Sequence, residues 1–260
     1  VYKRQTFSFA NEQVGSAPAT TLHIKDMSWP TIVQTIQRGY DSVIVPTGGI
    51  EQNGPHMIVG KHDYIINWTT EKIASRAGHI LIAPTVSFVP EGNFDPKTDN
   101  MRFPGTIGIT EKAFEFLLEG ICISLNNMGF KYIFLIGDHG GSIHIQEVVA
   151  SRLSAQWSNS NVRVINISSY YNAGDKQFSY LLDKGYSKTN IGDHAGMLDT
   201  SELLSIHPEG VDFTNLDKSN IPENLRGDSG APNLSTPDIG KDILEIKIQS
   251  ALSQISNSRK

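Results

Sequence analysis

The sequence predicts an α/β protein with a mainly parallel sheet covered by helices on both faces. Three observations carry that expectation. From about Leu22 onward short β-rich runs alternate with amphipathic stretches, the pattern of strand–helix–strand units. Each run is short, β-branched or aromatic, and closed by Pro, Gly or polar residues. Residues able to bind metal or move protons collect just after several of these runs, where open α/β sheets place their ligand crevices.

The elements follow in chain order. Residues 1–21 are rich in Ser, Ala, Thr and Gln and show neither hydrophobic period, so a leader remnant or a flexible arm is expected ahead of one α/β domain at 22–260. The run 42–46 reads as the first strand. Ile66, Thr70, Ile73, Ala74 and Ala77 then form a helical stripe for which Asp63 is the expected N-cap. A second strand is expected at 80–86, and residues 88–105 form the longest irregular stretch, of the kind that lines sites. Phe88, Phe94 and Phe103 are expected to pack that loop.

Phe114, Leu117, Leu118, Ile121, Leu125 and Met128 repeat with helical spacing between a capping Thr110 and a terminating Gly129. Strands are expected at 132–136 and 162–167. A last helix follows Thr236 and Pro237, with Leu244, Ile248, Ala251, Leu252 and Ile255 on one stripe.

Charge and composition exclude several function classes. Twenty-two Lys and Arg against 27 Asp and Glu leave a formal charge of −5. With no dense basic run to neutralise phosphates, nucleic acid is not an expected partner. No apolar run approaches the roughly 18–20 residues that span a bilayer, so a soluble chain is expected. Cys122 cannot form an internal disulfide and sits in a periodic apolar stretch, so a buried thiol is expected. One thiol leaves the compartment open between cytoplasm and periplasm.

Three segments concentrate the chemistry. The first runs from Val45 through Glu51, Asn53 and His56 to His62 and Asp63. The second is Ile136-Gly-Asp138-His139-Gly-Gly-Ser142, and the third is Gly192-Asp193-His194-Ala-Gly-Met-Leu-Asp199-Thr-Ser201. Together they offer carboxylates and imidazoles with almost no thiol, a donor set suited to Zn or Mn, with Fe as a third candidate. Gly54 to Lys61 has the look of a phosphate loop, but its spacing is wrong and His62 stands where Ser or Thr must hold magnesium. Gly227-Asp228-Ser229-Gly230 looks like a serine-protease segment, yet a surface turn explains it in an α/β chain.

At these residues the sequence resembles the creatininase (creatinine amidohydrolase) family. Glu51-Gln52-Asn53-Gly54-Pro55-His56 with Gly60-Lys61-His62 is similar to the family's Glu-Gln-His-Gly-Pro-His and Gly-Thr-Asp. Gly137 to Ser142 resembles its Asn-Gly-His-Gly-Gly-Asn. His194 to Ser201 resembles its His-Ala-Gly-Glu-x-Glu-Thr-Ser, and Phe103-Pro-Gly-Thr106 its Phe-Pro-Gly-Thr. The resemblance implies a three-layer α/β/α fold and a metal site that is often binuclear. It also implies hydrolysis of non-peptide C–N bonds in cyclic amides or formamides, and a homo-oligomer, frequently a hexamer.

By position it makes Glu51 and His139 metal ligands and puts Asp199 in the place of a family Glu ligand. Asn53 replaces a His ligand, and His62 occupies the slot of an Asp that bridges two metals. A neutral imidazole bridges two cations poorly, which points to one metal through His62, while a one-residue slip to Asp63 would keep a pair. His194 takes the place of the family's catalytic His, as proton donor to the departing nitrogen. Asp138 is expected to orient an imidazole or hold water, and the Gly140 and Gly141 amides to steady an oxyanion. His56 either joins the site or braces its turn. The expected activity is a metal-dependent amidohydrolase acting on a small polar molecule through metal-activated water. A non-catalytic small-molecule-binding relative and a metal-dependent lactonase are the alternatives.

Overall fold

The computed structural model describes residues 21–216, 221 and 225–260. The expected arm at 1–21 falls outside these residues, except for Thr21. Four strands, β1 (Ser42–Thr47), β2 (Ile80–Ile82), β3 (Tyr132–Gly137) and β4 (Arg163–Asn166), form one sheet in the order β2-β1-β3-β4. Every pairing is parallel, with Ser42 opposite Ile80 and Tyr132, and Tyr132 opposite Arg163.

The helices are α1 (Trp29–Gln37), α2 (Lys61–Ala77), α3 (Glu111–Met128), α4 (Gly140–Gln156), α5 (Ser168–Tyr171), α6 (Gly174–Asp183), α7 (Lys188–Ile191), α8 (Met197–Ile206) and α9 (Pro237–Ser258). The two-residue alternation of the strands divides the interior into two cores. Val43, Val45, Leu81, Ile133 and Leu135 face α3 and α4 through Phe114, Leu118, Val149 and Leu153. Ile44, Ile80, Ile82, Phe134 and Ile136 face α2, α5 and α9 through Ile66, Ile73, Tyr170, Ile248 and Ile255. The result is three layers, α/β/α. Each fully buried aliphatic side chain contributes about 1.5–3 kcal/mol, so packing on both faces dominates the stability of the sheet.

The predicted α3 matches its observed bounds. Thr110 Oγ1 accepts from Ala113 N–H, and Gly129 closes the helix in the left-handed region at φ 111°. Thr236 likewise caps α9. Other expectations need correction. The second strand stops at Ile82, because Pro84 has no N–H to donate, although Val86 N–H still reaches Pro46 O at 2.9 Å. The fourth strand is Arg163–Asn166, one residue shorter at each end than expected.

Asp63 is not the N-cap of α2. The helix begins at Lys61 behind Gly60, and Asp63 Oδ1 accepts from Gly49 N–H at 3.3 Å. Phe88 and Phe94 do not pack their loop; they are 49% and 46% exposed. Cys122 is buried as expected, and burial pushes its thiol up to about 12.

β1 and β3 end at the same edge of the sheet, and the N-termini of α2 and α4 open there. Residues 48–62, 137–141 and 192–199 meet at this edge.

Candidate metal centre

Glu51, His62 and His139 each present one donor atom to a common point, the three atoms lying within 4.8 Å of one another. Glu51 follows β1, His62 sits in the first turn of α2, and His139 is the N-cap of α4 directly after β3. Two parallel strands thus deliver residues distant in sequence to one crevice. Glu51 is 1% exposed and His62 is 6% exposed, so the cluster is shielded from bulk water.

Each imidazole has an identifiable partner. His62 Nε2 lies 2.6 Å from Glu51 Oε1, and its Nδ1–H donates to Asp138 Oδ2 at 2.6 Å. His139 Nε2 lies 3.2 Å from Glu51 Oε2 and 3.0 Å from Glu91 Oε2. Gly141 N–H donates to His139 Nδ1 at 3.2 Å, which places the ring proton on Nε2. That amide is therefore engaged with His139 and not directed at an oxyanion.

The electrostatics follow from these pairs. Burial pushes the Glu51 carboxyl up, but His62, His139 and Lys61 hold it far below the usual carboxylate range. Burial opposes charge on His139, yet hydrogen bonds to Glu51 and Glu91 raise it to about 9. Burial and Lys61 likewise oppose charge on His62, and Glu51 with Asp138 prevails to raise it.

Both oxygens of Asp138 have partners. Its Oδ2 accepts from His62, while Oδ1 accepts from Lys247 Nζ at 2.9 Å and Tyr170 OH at 2.9 Å. Burial would raise its carboxyl, but Lys247 and His62 hold it well below its ordinary value. Lys247 also reaches Glu202 Oε2 at 3.0 Å. Asp138 thus orients the His62 ring from behind, with both of its oxygens engaged.

His194 stands at the mouth, 34% exposed at its side chain, with Nδ1 4.0 Å from Glu51 Oε1. Gln52 holds its ring. His194 Nε2 faces the Gln52 side-chain amide at 2.9 Å and the Gln52 backbone carbonyl at 3.0 Å. These contacts fix the ring with Nδ1 turned toward the cluster. Ser229 clamps this loop, its Oγ accepting from Asp193 N–H at 2.7 Å and His194 N–H at 3.0 Å. The segment dismissed in sequence as a surface turn therefore positions the proposed acid.

The structure sets the other candidates apart from the cluster. Asp199 Oδ1 pairs with Lys61 Nζ at 3.0 Å, and Oδ2 accepts from Ala195 N–H at 2.7 Å. Asn53 donates to Glu51 O and Ile58 O and serves its own turn. His56 Nε2 meets Thr200 Oγ1 at 2.9 Å and stacks on Phe213, bracing α8. Sequence reasoning missed Glu91, Lys61, Asn100 and Lys247. Glu91 and Asn100 belong to the irregular 88–105 stretch. A Cβ at Gly141 would collide with Pro90 O, so glycine there lets this loop close on the start of α4.

The donor set fits one divalent cation. Two imidazoles and a carboxylate converge, a second carboxylate borders them, and Glu91 Oε1 is buried without a hydrogen-bond partner, an orphan that a cation would resolve. Loading requires the Nε2 protons of His62 and His139 to leave, while His62 Nδ1–H remains on Asp138, the carboxylate–imidazole–metal relay of many metal sites.

A parallel α/β sheet with a buried carboxylate and two imidazoles at its strand ends defines a class, that of α/β proteins with a candidate metal centre at the sheet edge. The family is specific: the chain belongs to the creatininase family, whose model, described as creatinine amidohydrolase, matches residues 25–255. The 3-dehydro-scyllo-inosose hydrolase of Thermotoga maritima is 24% identical over 190 residues, 73% of this chain and 58% of that protein. The mycofactocin precursor peptide peptidase of Mycolicibacterium smegmatis is 25% identical over 177 residues, 65% of this chain and 59% of that protein. The chain thus matches less than two thirds of the length of these two relatives. Among solved structures, creatinine amidohydrolase (creatininase) superposes with a TM-score of 0.74 at 18% identity, covering 92% of this chain and 98% of that one. The expected fold is thereby confirmed.

Proposed function

We propose that this protein is a metal-dependent amidohydrolase that cleaves a C–N bond in a small polar substrate, a cyclic amide or a formamide. The observation that carries the reading is the convergence of Glu51, His62 and His139 with Nδ1 of His194 turned toward them. These residues line a cavity of about 430 Å³ together with Asp199 and Lys247, a size suited to a small molecule. The relatives act, by their names, on an inosose and on a peptide, so family membership leaves the substrate open.

Glu51, His62 and His139 would hold the ion. The buried donors suit Zn or Mn, and similar creatininase structures are described as Mn and Zn–Zn forms. When bound, a divalent cation supplies Lewis acidity to a substrate carbonyl and an acidified water as nucleophile. Asp138 keeps the His62 ring fixed, and Glu91 lies where it can take the proton that His139 gives up. His194, whose Nδ1 faces the cluster, donates a proton to the departing nitrogen, and Gln52 holds the ring through its Nε2. A homo-oligomer is part of this proposal, as is a soluble location. Among the described residues no helix is long and apolar enough to cross a membrane.

The test combines elemental analysis with turnover of a panel of lactams, cyclic imides and formamides. Bound metal is expected, with activity lost in Glu51→Gln and His139→Ala. Absence of stoichiometric metal, or full activity in either variant, would overturn the proposal.

A further inference from the structure

Lys61 opens α2 beside His62, and its side chain is 1% exposed. Lysine is almost never so buried unless carboxylates surround its ammonium. Here Nζ lies 3.0 Å from Asp199 Oδ1 and 3.7 Å from Glu51 Oε1. Glu51 therefore faces two ways, with Oε2 toward His139 and Oε1 toward His62 and Lys61. The space between Glu51 and Asp199 is where a second ion, shared between two carboxylates, would have to sit.

The charged and imidazole donors near that space are already used. His62 spends both nitrogens on Glu51 and Asp138. Asp138 is filled by His62, Tyr170 and Lys247, and Glu202 by Gln177 and Lys247. Asn53 spends its amide N–H groups on backbone carbonyls, and only its neutral Oδ1 is buried without a hydrogen-bond partner. A second divalent ion would find Asp199, a shared Glu51 oxygen and the neutral Asn53 Oδ1, with an ammonium already between the two carboxylates.

We infer that Lys61 is a built-in monovalent cation that takes the place of a second metal between Glu51 and Asp199, so that each chain holds one divalent ion. This inference rests on the metal-hydrolase reading and narrows it to a mononuclear site. Asp199 is then not a ligand. It anchors Lys61 and, through Ala195 N–H, the loop that carries His194.

Metal-stripped protein titrated with Zn²⁺ by calorimetry, with elemental analysis after desalting, tests the inference. Wild-type protein is expected to bind one ion per chain and Lys61→Arg one. Lys61→Met, which leaves two carboxylates facing each other, is expected to bind two. Asp199→Asn is expected to keep one ion with Kd changed by less than the roughly tenfold that loss of a supporting partner costs. Two ions in wild type would overturn the inference and leave the hydrolase reading intact. One ion in folded Lys61→Met, or loss of the ion in Asp199→Asn, would also overturn it, the latter remaining decisive if the methionine variant fails to fold. Wild-type protein that binds no ion would overturn both readings.

Discussion

His139 has to satisfy two states of the site. In the metal-free protein its Nε2 lies between Glu51 and Glu91, which raises it from 6.5 to about 9, and charging the ring gives up the Gly141 N–H bond to Nδ1. The stabilisation from this pair is fully present below about pH 6.5 and is lost as pH rises through about 9. Metal-free protein is therefore expected to lose thermal stability across that window, measured by scanning calorimetry at fixed ionic strength. Over the same window the competing proton leaves, so Zn²⁺ affinity is expected to rise by up to about tenfold per pH unit. A flat affinity profile from pH 6.5 to 9 would show that His139 is not a ligand. Asp138→Asn tests the relay behind His62, with a loss of about 10- to 100-fold in metal affinity expected by calorimetric titration. The convergence of Glu51, His62 and His139 was legible in the sequence, because motifs after strands mark a crevice and the family resemblance singles out these positions. Lys61 and Glu91 were not, since a lysine beside glycines and an acid in a loop look solvated until their burial is known.

At the scale of elements, the best-read helix was the one whose local signals agree. Apolar spacing, a threonine cap and a left-handed glycine all bound α3, and Thr110→Ala is expected to cost about 1 kcal/mol in urea unfolding without changing metal content. Local signals were weaker where a residue had two available roles. Asp63 looks like a cap, but Gly49 N–H is a nearer claim on its carboxylate. The 227–230 turn shows the same limit, because its role comes from the loop it touches, 35 residues away in sequence. Ser229→Ala should free residues 193–194, lowering kcat while leaving metal content unchanged. Equal loss of metal and activity would mean that this turn supports the whole site and not His194 in particular.

Over the whole molecule, the site joins the layers. Glu51 and His139 leave the sheet, His62 leaves α2, and Lys247 of α9 closes the network behind Asp138. An ion held across these elements stabilises the folded chain by mass action, about 2.7 kcal/mol at a hundredfold excess over Kd. Chelation is expected to lower Tm, and readdition of Zn²⁺ or Mn²⁺ to restore it. An unchanged Tm in chelator would place no metal among these elements. The proposed homo-oligomer has its own check in sedimentation velocity, where a monomer would refute it.

From the order of residues alone come the alternation of strands and helices, the parallel sheet, and the segments that supply carboxylates and imidazoles. These are encoded in local periodicity and in short motifs. Only the tertiary structure decided which charges meet. Lys247 pairs with Asp138 across 109 residues and His139 with Glu51 across 88, separations over which no periodicity acts. Pairing of buried charges depends on distance through space and on the water excluded around them, and both arise only when the layers close.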